Sequence, residues 1–380
     1  MMKMKRMLVG LLVVMISGVA LAQEPVRKWT SKKGKVIIEA AWDSEKDPDE
    51  KTVFLLKEGK RLKYSFEKLS EADQKYVTEG RARIAKEKKD SNQKKVAALP
   101  SKVRTLQAKA EQGDAEAQYN LGLYYAEGED QGGEPNLAKA VEWFIKAAEQ
   151  GNAPAQFNLG SCYYYGDGVK QDFTKAVEWF TKAAEQGSPE AQYNLGVCYQ
   201  NGEGVKQNPA KAMEWFTKAA EQGDTLAQYN LGFCYENGLS VDKDLTKAVK
   251  WYTKAAEQGS ALAQYSLGVC YQNGVGVDKN PAKAMEWWTK AAEQGDALAQ
   301  YNLGFCCENG QGVDKDLTKA VEWYTKAAEQ GFAPAQYSLG VCYQNSVGVD
   351  KDPAKAVEWF TKAAEQGIDP AKEKLKELKK

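Results

Sequence analysis

The chain has 380 residues, with 52 Lys and Arg against 52 Asp and Glu, no histidine and 43% hydrophobic residues. The missing histidine removes Ser-His-Asp and Cys-His nucleophile pairs, His-ligated zinc or iron, and all imidazole acid–base chemistry. Balanced charge argues against nucleic acid as a partner, because neutralising phosphates takes a basic excess; the length allows two or three folded domains.

Lys3, Lys5 and Arg6 precede an apolar run from Met7 to Val19, followed by Ala20-Leu-Ala22. A basic start, an apolar stretch and an A-x-A end predict a cleavable secretory signal over 1–22. The run falls short of the roughly 20 residues a bilayer span needs, and no cysteine near the cut points to a lipid anchor. The mature chain is then expected in a periplasm or outside the cell, with a net charge of about −3 and no integral membrane span.

Between 27 and 77 the texture is that of short strands. Lys35–Ala41, Thr52–Leu56 and Arg61–Ser65 are β-branched or alternating runs, separated by the turn formers Asp47-Pro48-Asp49 and Glu58-Gly59. Ser70-Glu-Ala-Asp73 has the form of a capping box, opening a helix through Tyr76 and Val77. The run Lys28-Trp-Thr-Ser31, with Gly34-Lys35, Ile38-Glu39-Ala40, Gly59-Lys60 and Lys68–Val77, resembles the SLA-one homology domain. That resemblance implies a small SH3-like β module and a general binding role; no peptide-binding residue carries over. Residues 78–102, with seven Lys and Arg between Arg81 and Lys95, read as a charged helical linker ending at Pro100.

From 103 onward one unit recurs. Gly113, Gly151, Gly187, Gly223, Gly259, Gly295, Gly331 and Gly367 close successive units, the first 38 residues long and the next six 36. Trp143, Trp179, Trp215, Trp251, Trp287, Trp323 and Trp359 keep the same beat. Fixed self-similarity at this period predicts a stacked helical array: seven helix-turn-helix repeats over 114–367 and a charged capping helix over 368–380.

In the unit 188–223, Ala191, Leu195, Cys198 and Tyr199 form one stripe of a first helix, and Gly202 ends it. Gly196, mid-helix, implies close approach of a neighbouring helix, since glycine there costs about 1 kcal/mol. Asn208-Pro209 opens a second helix whose buried stripe is Ala212, Met213, Phe216, Ala219 and Ala220. Glu214 and Lys218 are spaced to pair on its outer face, and Trp215 is expected to bridge adjacent units. The strings Ala-Gln-Tyr-Asn-Leu-Gly, Asn-Gly-x-Gly-Val and Ala-Lys-Ala-x-Glu-Trp-Phe-Thr-Lys-Ala-Ala-Glu-Gln-Gly closely resemble the Sel-one-like repeat, a 36-residue relative of the tetratricopeptide repeat. The resemblance implies a mainly α, right-handed α-solenoid serving as a protein–protein adaptor or scaffold.

Several constellations invite chemistry. Cys162, Cys198, Cys234, Cys270, Cys306 and Cys342 share a register, with Cys307 beside the fifth. Equivalent helices about 8–10 Å apart exceed the roughly 7 Å Cα limit for a disulfide, so these read as buried, unbridged hydrophobes; cysteine-rich relatives carry a second cysteine per unit. Asp242-x-Asp244, Asp314-x-Asp316 and Asp350-x-Asp352 lack the glycine and bidentate glutamate of a calcium loop and read as helix caps. Ser65, Ser91 and Ser240 begin S-x-x-K matches without the companion elements of a β-lactam-handling site. No catalytic residue, metal site or cofactor is implied.

What remains is a surface. Tyr119, Phe157, Tyr193, Tyr229, Tyr265, Tyr301 and Tyr337 form an aromatic row on the first helices, with Asn194, Asn230 and Asn302 beside it and Gln200 and Gln272 further along. In tetratricopeptide relatives this face lines a concave groove for extended peptides, and aromatic bodies with polar tips suit partner binding. The same rings would equally serve as packing between neighbouring first helices. The expected partner is a protein or peptide; a cell-wall glycan stacking on the tryptophans and tyrosines is the alternative, and a β-lactam-directed hydrolase a distant third.

Overall fold

Short apolar runs without helical period pair as strands, and the 36-residue units fold as helix pairs. In a computed structural model the described residues are 27–30, 36–42, 52–57, 60–65, 67, 69, 71–97, 101–128 and 134–378. The expected leader over 1–22, the two turn sequences of the first module, Ser70, and Gly132-Gly133 of the lengthened first unit lie outside them. The chain divides into two compact units, Met1–Arg104 and Thr105–Lys380.

In the first unit, β1 (Arg27–Thr30), β2 (Val36–Trp42), β3 (Thr52–Lys57) and β4 (Lys60–Ser65) form one sheet in chain order. Every neighbouring pair is antiparallel, with Lys28 opposite Glu39, Ala41 opposite Leu56 and Val53 opposite Tyr64. β1, four residues with two cations, was not signalled by alternation. α1 (Glu71–Ala97) runs straight through the charged stretch, so the closing helix and the first part of the expected linker are one element. Leu69 and Val77 are fully buried.

The second unit begins within α2 (Ser101–Glu111) and continues in seven pairs: α3 (Ala115–Glu127) with α4 (Leu137–Glu149), α5 (Ala153–Tyr165) with α6 (Phe173–Glu185), and α7 (Pro189–Asn201) with α8 (Pro209–Glu221). The series continues through α9 (Thr225–Asn237) and α10 (Leu245–Glu257), α11 (Ala261–Asn273) and α12 (Pro281–Glu293), α13 (Ala297–Asn309) and α14 (Leu317–Glu329), and α15 (Ala333–Asn345) and α16 (Pro353–Glu365). α17 (Asp369–Leu378) closes it.

The α7–α8 pair shows why. Ser188 caps α7 by accepting from the Ala191 amide, and Asn208 caps α8 by accepting from the Lys211 amide at 3.1 Å. Gly202 stops α7 in the left-handed conformation, with the Gly202 and Glu203 amides both donating to the Cys198 carbonyl. A Cβ on Gly196 would stand 2.6 Å from the Phe216 ring, so the expected close approach is made by that ring. Gly204, at φ +69°, lies against the Phe173 carbonyl that begins the previous second helix; any side chain there would strike backbone. Both glycines of the Asn-Gly-x-Gly loop therefore have separate duties: one ends a helix and the other lets the loop touch the preceding repeat.

Packing between repeats is shared. Ala176, Phe180, Ala183 and Ala184 of α6 form one buried cluster with Ala191, Leu195 and Cys198 of α7, and Trp215 of α8 packs on it. The tryptophan therefore bridges units, as its size demands. Lys218 lies over the Trp215 ring at 4.0 Å, a contact worth about 0.5–1 kcal/mol. The outer-face lysine is thus directed to the ring, and in the last repeat Lys362 meets both the Glu358 carboxylate at 2.7 Å and the Trp359 ring at 4.1 Å.

A polar ladder runs through the same seams. Gln192 is buried; its Nε2 donates to the Ala184 carbonyl of the preceding second helix at 3.1 Å, and its Oε1 accepts from Gln222 of its own second helix at 2.7 Å. Gln118, Gln156, Gln228, Gln264, Gln300 and Gln336 repeat both bonds. Because Gln118 bonds the Ala110 carbonyl, α2 occupies the place of a preceding second helix. At the other end Ala371 of α17 is fully buried in the last cluster, while Lys372, Lys374 and Lys376 pair with Asp369, Glu377 and Glu373 outside it.

Candidate binding face

Adjacent first helices lie side by side, and the aromatic row is built into their junctions. Tyr193 packs on the Phe216 ring with centroids 5.7 Å apart, and its hydroxyl accepts from Asn230 Nδ2 of the next first helix at 3.3 Å. Tyr119 and Tyr265 make the matching hydroxyl bonds with Asn158 and Asn302. Phe157, Tyr229, Tyr301 and Tyr337 pack on Phe180, Tyr252, Tyr324 and Phe360. Tyr265 instead offers its backbone carbonyl to Trp288 Nε1 at 3.1 Å. Burial pushes the phenols of Tyr119, Tyr193 and Tyr265 up, with the asparagine bonds opposing. All seven rings are half-buried, as are Asn194, Asn230 and Asn302: the row both packs and faces outward.

Gln200 and Gln272 are half-buried near the ends of α7 and α11. The Gln200 carbonyl accepts from Gln207 Nε2 at 2.8 Å, and Gln272 Nε2 donates to Gln311 Oε1 of the next loop at 2.8 Å. In α9 and α13 the same slot holds a glutamate, and each has a tyrosine opposite: Tyr252 donates to Glu236 at 2.6 Å, and Tyr324 to Glu308 at 2.7 Å. Where the slot is glutamine, the ring opposite is Phe216, Trp288 or Phe360.

The remaining candidates resolve into structure. All seven cysteines are free thiols, six of them buried and Cys162 partly so. Burial pushes Cys162, Cys198, Cys270 and Cys342 up to about 12, well away from a reactive thiolate. Asp244, Asp316 and Asp352 cap α10, α14 and α16 through the amides of Lys247, Lys319 and Lys355. Those bonds hold the carboxyls of Asp244 and Asp316 below the usual range. Ser65 lies in β4, Ser91 in α1, and Ser240 is exposed at φ +66° in the slot that is Gly204 one repeat earlier. Among the described residues no group of three or more acidic or cysteine side chains is placed to hold a metal, and no helix is long and apolar enough to cross a membrane.

One feature of the face was not read from the pattern. Leu226, Leu262 and Leu298, at the start of α9, α11 and α13, stand where other repeats carry Glu116, Glu190, Pro154 or Pro334, and they are exposed. Phe233 and Phe305 are exposed two turns on, although the equivalent Val197 packs on the cluster of α8 and α9. The signal was there in the repeats: an apolar residue at a slot that elsewhere is polar or proline.

Comparison with known proteins places these features in a family. The Sel1 repeat matches residues 115–152, 153–188, 189–224, 225–260, 261–296, 297–332 and 333–368. A Sel1 repeat protein from Oxalobacter formigenes is 38% identical, with a TM-score of 0.60 over 73% of this chain and 79% of that one. The protein c5321, a protective antigen of uropathogenic Escherichia coli strains with an SLR fold, is 39% identical, with a TM-score of 0.58 over 72% of this chain. The match covers 66% of c5321, just under two thirds of its length. No match was found among curated proteins.

Proposed function

The chain belongs to the Sel1 repeat family, whose solenoids are generally protein-interaction scaffolds without catalysis, and on that premise we propose that it is an exported scaffold binding a protein or peptide along its first-helix face. The observation that carries this reading is the aromatic row: seven half-buried rings in register on neighbouring first helices, with asparagines between them. Such rings present area at low entropic cost, and the amides suit an extended backbone. Export rests on the leader-like stretch 1–22, and an exported position agrees with the antigenic character of the Escherichia coli relative. The N-terminal sheet is read as an SH3-like module, a second binding element, followed by a charged helical linker that reaches to 102.

The tryptophans lend the glycan alternative less support than their number suggests. Each of the seven has a lysine ammonium over its ring at 3.8–4.4 Å, the place a sugar face would take.

Replacing Tyr229, Tyr265 and Tyr301 by alanine tests the proposal. The variant is expected to retain its helical spectrum at assay temperature and to lose the partner that the intact chain pulls from envelope extract. Undiminished capture refutes the face, and co-sedimentation with purified wall polymer refutes the partner class.

A further inference from the structure

The first helices of the central repeats carry almost no charge. α9, α11 and α13 contain no lysine or arginine, and their two carboxylates, Glu236 and Glu308, each accept a tyrosine hydroxyl. The second helices, by contrast, each carry several lysine and glutamate side chains. On the uncharged faces Leu226, Leu262 and Leu298 are 52%, 52% and 43% exposed, and Phe233 and Phe305 are 43% and 42% exposed. Residues 226, 230, 233 and 237 lie on one helical face by their spacing of four, three and four. Adjacent first helices touch through Asn230 and Tyr193 and through Asn302 and Tyr265, so the leucines form a row across neighbouring units.

We infer that this central stretch takes an uncharged, apolar, extended polypeptide segment of the partner, a refinement that rests on the first-helix face being the binding face. Charge decides it. A glutamate laid on α9, α11 and α13 would meet no cation of those helices. A lysine would meet only carboxylates already bonded, Glu236 and Glu308 to tyrosine hydroxyls and Asp224 and Asp296 to cap amides, so desolvating either is costly. Apolar side chains would cover the leucines and phenylalanines, and the asparagine register beside them, Asn230 and Asn302, matches backbone amides. Some outer repeats differ: Glu116, Glu127 and Glu190 stand on the first helices nearer the N-terminal end. α5 and α15 carry no charge either, so it is the exposed leucines and phenylalanines that set the middle of the array apart.

The probes are short end-blocked peptides alternating Leu or Val with Asn or Ser, and versions in which the polar positions are Glu or Lys, read by fluorescence anisotropy against the full chain. The neutral probe is expected to bind roughly tenfold or more tightly than either charged one, with little dependence on salt. Leu262→Lys, at an exposed position, should weaken the neutral probe by a similar factor and leave the melt unchanged; Val357→Lys on α16 should change neither. Absent binding of the neutral probe, tighter binding of a charged one, or insensitivity to Leu262→Lys overturns the inference. So does sedimentation showing a dimer that Leu262→Lys converts to monomer, since a second copy then covers the face. If the tyrosine variant loses its envelope partner while neutral probes are ignored, the binding face stands and only the neutral-segment assignment falls.

Discussion

Gln264→Leu probes the seam that the repeat array depends on. Gln264 is 4% exposed; its Nε2 donates to the Ala256 carbonyl at 3.1 Å, and its Oε1 accepts from Gln294 Nε2 at 2.8 Å. Leucine has nearly the same volume and removes both bonds. Neither partner is left wholly orphaned, because the Ala256 carbonyl still accepts from the Gly259 amide at 3.0 Å and Gln294 is exposed to water. The loss is then two net hydrogen bonds of about 1 kcal/mol each, roughly 2 kcal/mol in all. Gln264→Ala adds a cavity and should cost about 1 kcal/mol more.

Placement sharpens the test. The Ala256 bond joins α11 to the preceding α10, and a solenoid's stability is approximately a sum of repeat and interface terms. Weakening a central interface should broaden or split the guanidinium transition followed by far-ultraviolet dichroism and tryptophan fluorescence. Gln336→Leu removes the matching bonds to Ala328 and from Gln366 near the C-terminal end and should instead appear as early loss of the last helices. Hydrogen exchange locates either effect. A change below about 0.5 kcal/mol in both variants would refute the ladder as a stabilising device, since that is the scatter of ordinary surface substitutions.

Gly196→Ala should destabilise even though alanine is favoured in helices by about 1 kcal/mol; the Cβ 2.6 Å from the Phe216 ring brings an overpacking cost of about 1–3 kcal/mol, and Phe216→Leu in the same chain should recover part of it in thermal melts. A thiol reagent should react slowly with the native chain and find close to seven thiols after denaturation without reductant, whereas three or fewer would establish disulfides. Alkaline titration should show stability present below about pH 9 and falling as pH rises towards 12. The unfolded thiols release protons near 9.0 while burial holds those of Cys198, Cys270 and Cys342 up to about 12, and replacing these three with alanine should flatten the slope. Tyr252→Phe should cost about 1–3 kcal/mol by stripping Glu236 of its donor. Adding Glu236→Gln should restore most of that, and a double-mutant coupling near zero would refute the pairing.

The array was legible because stacking enforces repetition. Caps such as Asn208 and Asp244, the mid-helix Gly196 and the bridging Trp215 each follow from a local rule: a short polar side chain before a helix, a missing Cβ, a ring too large for one helix pair. The ladder was not legible in the same way. Gln192 meets a carbonyl eight residues back and an amide thirty residues on, and no periodicity rule links such positions. A glutamine beside alanine in a helix reads as solvent-facing until the neighbouring helix ends are in place. Lys218 misled for a related reason: the spacing to Glu214 is correct for a pair, but the adjacent ring of Trp215 covers the lysine stem and competes for the ammonium.

The candidate face was half legible, and the reason lies in its chemistry. Tyr193 satisfies two demands at once, packing its body on Phe216 and turning its hydroxyl to Asn230, so sequence alone cannot separate a binding ring from a packing ring. The repeats also recur in pairs every 72 residues, Phe233-Cys234 as Phe305-Cys306 and Met213 as Met285, and this is more informative. Recent duplication accounts for it, yet the alternation also keeps paired groups together: Glu236 with Tyr252 and Glu308 with Tyr324, against Gln200 with Phe216, Gln272 with Trp288 and Gln344 with Phe360. A carboxylate half-buried in a helix seam needs a donor, and a phenol buried there needs an acceptor. Exchanging either residue alone between neighbouring repeats leaves one of them unmet, so the two residues of each pair have to change together. Phe233 and Phe305 belong to the same units as the two glutamates, and the wider spacing of the exposed rings along the face is thereby tied to a constraint in the core.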